Sequence, residues 1–186
     1  MSDAARPLGD TDWHIPRLYD FAHAPSAASM LVGNYSRFVI DLNRPADDTP
    51  LYTTATGLYP ETLFDGRDSF TPGMTPTAAH RRHYLAQIWH PYHQRIQSEL
   101  ARIKHQFGYA VLTRILLHRL SRVCLMVGLP DLNLGTNGGA SCAAALSDRL
   151  VDCCQNSRHS AMLNGRFKGG YITRARSLSE YSCRAT

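Results

Sequence analysis

Within five residues, the stretch DTDWH gathers Asp10, Asp12 and His14. A carboxylate and an imidazole this close can ligate a metal ion, and Asp12 is equally placed to cap a helix that follows. A second polar group closes an apolar run in VIDLNRPADD, which carries Asp41, Asn43 and Arg44. Open α/β sheets bind ligands beyond the carboxyl ends of their strands. There Arg44 can grip a carboxylate through two parallel N–H bonds while Asn43 orients it. An Asp–Arg pair that simply closes a loop fits the same letters.

A third group lies in NGRFKGGYITR, where Arg166, Lys168 and Arg174 surround Gly169, Gly170 and Tyr171. The glycines allow close backbone approach and the cations can hold an anion. The same letters loosely match the basic strand of RNA-recognition modules, but the second half-motif and its aromatics are absent. The chain has nine histidines, of which His80 and His83, and again His90 and His93, are spaced i, i+3. No acidic third ligand falls at helical spacing beside either pair, so solvated helix histidines are the expectation. DLNLGTNGGASC is glycine-rich without the lysine and hydroxyl of a phosphate loop, and predicts a tight turn.

The elements that must position these groups are partly readable. Tyr84, Ile88, Tyr92, Ile96, Leu100, Ile103 and Phe107 recur at steps of four and three, predicting a helix over 78–107 that Pro91 kinks or splits and Gly108 ends. A shorter helix is predicted over 143–154 with Leu146, Leu150 and Cys154 inward. RFVIDL (37–42), YAVL (109–112) and GYIT (170–173) are the strand candidates. Between Pro45 and Pro76 the prolines and glycines predict mostly loop. Thr113–Pro130 holds no acidic residue. Leu116, Leu120, Val123 and Val127 fall on one helical face, a basic amphipathic pattern too short and too charged to span a bilayer.

With 44% hydrophobic and 19% charged residues, 186 residues suit one globular domain rather than a disordered chain. The net charge of +5 suits an anionic partner, and small carboxylates satisfy it as well as nucleic acid does. The five cysteines are odd in number and form no C-x-x-C pair, and the first residues hold no apolar signal core. The expected setting is the reducing cytoplasm.

Four stretches in order carry a more specific signal: DTDWHIPRLYDFA, YSRFVIDLNRP, LPDLNLGTNGGASC and NGRFKGGYITR. Together they resemble the N-formylglutamate amidohydrolase (deformylase) family. TTATGLYPETLF and HPYHQRIQSEL fit the same family between them. The resemblance implies an α/β fold similar to the zinc carboxypeptidases, a three-layer sheet with flanking helices, here as a single, partial domain over 1–186. It implies hydrolysis of N-formyl-L-glutamate to formate and L-glutamate in histidine degradation. Zinc or another divalent metal would activate the water, and a small dicarboxylate would be the partner, with no nucleic acid and no membrane. By position, Asp12 is the candidate metal ligand, Asn43 and Arg44 are candidates for a substrate carboxylate, and Arg174 with Lys168 for the second. No catalytic residue is assigned.

The chain also departs from that pattern. The family's P-H-x-G histidine, before D-T-D-W, lies outside the sequence. Where the family has D-x-H-S, this chain reads TRILLHRLSR, and after G-G-Y-I-T-R the family's Q-x-E segment is replaced by ARSLSEYSCRAT. The expectation is a shifted reading frame across Thr113–Val127 and a second shift or stop near the end. Activity would then be impaired. The different-class alternatives are a non-catalytic remnant that binds dicarboxylates and a basic nucleic-acid-binding module.

Overall fold

Thr77 opens the longest helical run. Its hydroxyl accepts from the His80 N–H while the His80 imidazole accepts from the Thr77 N–H, a reciprocal cap. In the computed structural model, which describes residues 1–23, 28–51, 56–115 and 129–175, this run comprises α2 (Ala78–Tyr84), a π-turn (Leu85–Trp89) and α3 (His90–Phe107). The π-turn sits where Pro91 was expected to kink the helix. Proline has no N–H to give the carbonyl four residues back. The chain widens by one residue there, and the His90 N–H reaches the Leu85 carbonyl. Gly108 ends α3 with φ +81°, as a helix-terminating glycine should. The predicted inward face holds at Ile96 and Leu100, and Trp89 and His93 extend it at helical spacing. Trp89, His93, Ile96 and Leu100 are buried, whereas Phe107 at the predicted seam is exposed.

The chain divides into two compact units. The first is centred on Met1–Arg102, the second on Ile103–Arg114 and the described residues from 129 onward. Besides α2 and α3, the first contains α1 (Ile15–Leu18) and a 3-10 turn (Asp20–His23), otherwise turns. Phe38 and Leu63 pack with Ala5 in a small core that Ala4 and Leu8 border. Asp12 does not cap α1: the cap position is His14, and no side chain closes the helix start. RFVIDL is not a strand either. Phe38 and Ile40 are buried as an alternating strand would have them. The backbone nevertheless turns, Arg44 N–H to Asp41 carbonyl at 3.0 Å, after the Asp41 N–H has bonded Leu58 at 2.8 Å.

In the second unit, β1 (Leu132–Leu134) and β2 (Ala161–Leu163) pair in parallel, Leu132 opposite Ala161 and Leu134 opposite Leu163. Parallel neighbours need a crossover, and α4 (Ala144–Gln155) supplies it and packs on β2. The predicted helix is therefore present, but its inward residue is Ser147, with Leu146 and Leu150 exposed. YAVL lies in no ladder among the described residues, and its Tyr109, Val111 and Leu112 are exposed. GYIT opens a helix, α5 (Tyr171–Ala175), with the Arg174 N–H bonded to the Gly170 carbonyl and Ile172 buried. So the α/β class holds, with the described sheet reduced to two strands. One of them, β1, lies in the stretch predicted as a turn. Most of Thr113–Val127, from residue 116, and the tail from residue 176 lie outside the described residues.

The strands are clamped at their starts. Ser160 donates its N–H at 2.9 Å and its hydroxyl at 2.8 Å to Asp131, and the Asp131 N–H returns a bond to the Ser160 hydroxyl at 2.9 Å. The backbone N–H first, and the hydroxyl second, hold the Asp131 carboxyl below the usual carboxylate range. A depressed folded value means a contribution present above the unfolded pKa of about 3.9 and lost as pH falls through the folded one. Ser160→Ala removes the second cause. The expected outcome is a partial rise of the Asp131 value toward the ordinary one in a carboxyl NMR titration, and an unchanged titration would refute the clamp.

Candidate functional site

Asp41 is 7% exposed, and a carboxylate so placed must be paired. One oxygen takes the Arg37 guanidinium at 3.0 Å, and the other accepts the Asn43 N–H at 2.9 Å. Arg44, 8% exposed, stands 3.8 Å from the first oxygen. Its Nε donates to the Thr56 carbonyl at 2.6 Å, one Nη to the Asn43 carbonyl at 3.0 Å, and the other to the Thr56 hydroxyl at 3.2 Å. Arg37 shares that hydroxyl at 2.7 Å and lies 4.4 Å over the Phe64 ring. Thus one carboxylate and one threonine orient two guanidiniums at the turn that carries Asn43.

From the helix side, the Trp89 indole N–H donates to the Arg44 carbonyl at 2.9 Å and His93 Nε2 meets the Leu42 carbonyl at 3.0 Å. The two rings stack with centroids 3.9 Å apart. His93 is accordingly a buried residue at 5% exposure, and the expectation of solvated histidines fails for it. His80 is occupied in its helix cap. Asp10 accepts the Phe64 N–H at 2.9 Å, while Asp12 is half-buried in the turn before α1.

The structure therefore gathers Asn43 and Arg44 with Arg37, Asp41 and Thr56, and keeps Asp12 in the same unit. Lys168 and Arg174 belong to the second unit and are exposed. The Lys168 carbonyl accepts the Asn137 N–H at 2.6 Å, and Arg174 Nε reaches the Gly169 carbonyl at 3.3 Å. Gly135 lets this happen, since a Cβ there would fall 2.9 Å from the Phe167 carbonyl oxygen. Asn133 donates to that same carbonyl at 2.6 Å. Beyond the strand ends Asn164, at φ +51°, accepts the Thr136 N–H at 2.8 Å and donates to the Thr136 hydroxyl at 2.8 Å. Two of the four stretches singled out in the sequence, LPDLNLGTNGGASC and NGRFKGGYITR, are thereby joined. The basic strand on which a nucleic-acid reading rested is a loop running into α5.

Metal ligation gets less support. Among the described residues, no three His, Cys, Asp or Glu side chains are grouped to hold a metal ion. No described helix is long and apolar enough to cross a membrane. Of the residues now seen at the Asn43–Arg44 turn, sequence reasoning missed Arg37, Thr56, Trp89 and His93. The i, i+4 spacing of Trp89 and His93 was a visible signal, hidden by the regular helical seam one residue away.

The model of the N-formylglutamate amidohydrolase family matches residues 1–183. The chain belongs to this family. It is 58% identical over 177 residues to the N-formylglutamate deformylase of Pseudomonas aeruginosa and 54% identical over 177 residues to that of Pseudomonas putida. Each alignment covers 94% of this chain and 66% of the relative, so the chain spans just under two thirds of their length. In the crystal structure of N-formylglutamate amidohydrolase from Ralstonia eutropha JMP134, a similar fold appears with a TM-score of 0.77 at 19% identity. That likeness covers 97% of this chain and 71% of the other. The family match runs through Thr113–Val127.

The buried turn makes a mutational contrast. Asp41→Ala leaves two guanidiniums without their shared carboxylate and is expected to cost about 3–5 kcal/mol. Asp65→Ala breaks the Arg67 pair at the surface, which is 44–63% exposed, and should cost far less, since water screens such a pair. Urea unfolding of the two variants measures both, and equal losses would contradict the burial argument.

Proposed function

We propose that this chain is an N-formylglutamate deformylase in origin, acting on N-formyl-L-glutamate to give formate and L-glutamate late in histidine degradation, and that it turns over slowly in its present form. The observation that carries the activity is the 58% and 54% identity to two relatives named N-formylglutamate deformylase. In the reaction, water adds to the formyl carbon, the carbon–nitrogen bond breaks, and the leaving amine takes up a proton.

What the chain itself offers to that reaction is grip and orientation. A guanidinium has five N–H groups. Three of those on Arg44 are spent on Thr56 and Asn43 and the nitrogen that bonds Asn43 also faces Asp41 at 3.8 Å, so the remaining hydrogen on the other terminal nitrogen is the one offered to a substrate carboxylate. Asn43 stands beside it as the orienting amide. Arg174 and Lys168 are the candidates for the other carboxylate, in keeping with the positive net charge. Zinc or another divalent metal would supply the activation of water, with Asp12 as its assigned ligand. The described residues do not complete the three-ligand set that a catalytic zinc normally takes, so no step is routed through the metal here. We also infer that the two described strands belong to a three-layer arrangement of zinc-carboxypeptidase type, with the cytoplasm as its setting.

Slow turnover is proposed from the interior of the chain. TRILLHRLSR stands where the family pattern has D-x-H-S, and this same observation favours a second reading, dicarboxylate binding without hydrolysis. Two measurements separate them. With zinc added, formate release is expected about 100-fold or more below that of the Pseudomonas aeruginosa relative assayed alongside, as loss of a catalytic proton-transfer or ligand group gives. Calorimetry is expected to detect L-glutamate binding. Release equal to the relative's overturns the impairment, no release with binding favours the second reading, and neither binding nor release overturns both. Sequencing the coding DNA across Leu112–Gly128 is expected to show D-x-H-S in an alternative frame. Its absence from all frames refutes the frame-shift origin.

A further inference from the structure

We infer that Trp89 and His93 are positioning residues for the Asn43–Arg44 turn: they hold the two carbonyls that flank Asn43 and so set where the Arg44 fork points. The use of this turn for a carboxylate rests on the proposed function above, whereas the positioning itself rests on geometry.

The carbonyls of Leu42 and Arg44 are acceptors only. The Trp89 indole can only donate, and it does so to Arg44 at 2.9 Å. At 3.0 Å from Leu42, His93 Nε2 must therefore carry a hydrogen, in a ring that is 5% exposed. The rings are stacked 3.9 Å apart and tilted by 27°. Neither can swing without displacing the other, and each end of the tripeptide 42–44 is tied to one helix. On the opposite side, Asp41 and Thr56 hold the same turn through Asn43 N–H and the Arg44 side chain. An arginine held through its backbone carbonyl and its Nε has little freedom left, which is the preorganisation a carboxylate grip needs.

Both donors lie on the buried face of the helix: Trp89 ends the π-turn, His93 follows at i+4 within α3, and Ile96 and Leu100 continue the same face. π-Turns of this sort are often found at functional sites.

The test uses the full chain and three substitutions. His93→Leu removes a donor and keeps bulk, Trp89→Phe removes the other donor and keeps the stack, and His93→Gln restores a donor in place of the imidazole. Hydrogen exchange at the Asn43 and Arg44 amides is expected to accelerate about tenfold or more in His93→Leu and Trp89→Phe. The Leu100 amide inside α3 should stay protected, and His93→Gln should return the turn to within about threefold of the parent. Calorimetric affinity for L-glutamate is expected to follow the same order, weakened about tenfold in the first two and recovered in the third. Unchanged exchange at Asn43 and Arg44, or equal loss of protection at Leu100, overturns the positioning role. If the parent chain binds no L-glutamate, the dicarboxylate reading fails and the exchange results alone decide the inference.

Discussion

The first unit of this chain depends on a carboxylate that water cannot reach. A buried Asp41 must be matched by positive charge and by hydrogen-bond donors, or its desolvation would outweigh any packing around it. Arg37, Arg44 and the Asn43 N–H supply the match, and each of these brings a further part of the molecule with it. Arg37 covers Phe64, both guanidiniums converge on Thr56, and the Asp41 N–H reaches across to Leu58. A stretch that lacks regular secondary structure is therefore held as firmly as a strand would hold it. Its order is made by side chains instead of a backbone ladder. Of the two alternatives the sequence left, the loop-closing pair is present: Arg44 faces Asp41 at 3.8 Å and closes onto Thr56 and Asn43.

The long helical run provides the second constraint. Proline near its middle removes one backbone donor, and the π-turn absorbs the defect by lengthening a single turn. At its end and beyond, Trp89 and His93 share the buried face of Ile96 and Leu100, and their ring nitrogens carry that face to the Asn43–Arg44 turn.

Legibility in the sequence followed the range of the interaction. Helices over 78–107 and 144–155 were visible because periodicity, a glycine stop and a proline are local signals. So was the gathering of Asp41, Asn43 and Arg44, since polar letters closing an apolar run are rare enough to notice. The strands were misplaced because their three-residue length gives no period to count, and because RFVIDL owes its shape to partners far along the chain, Thr56 and Leu58. The burial of His93 was hidden for a related reason. An i, i+3 histidine pair was weighed as a pair, whereas the structure uses one member with a tryptophan four residues earlier. Asp12 was legible through family resemblance, and its turn alone does not disclose a metal.

The grip between the two strand-end loops is made of main-chain atoms and of two asparagine side chains, Asn133 and Asn164. Gly135 lies against the backbone of Phe167, Lys168 and Gly169, and Lys168 is held by its carbonyl while its side chain points to solvent. Folding therefore reads the path of this loop and leaves most of its side-chain letters unread. Arg166 and Lys168 occupy positions where charge can be rewritten without disturbing the joint, so their basic character reports what the surface meets rather than what the fold requires. In evolutionary terms the joint is a rigid mount with an exchangeable face.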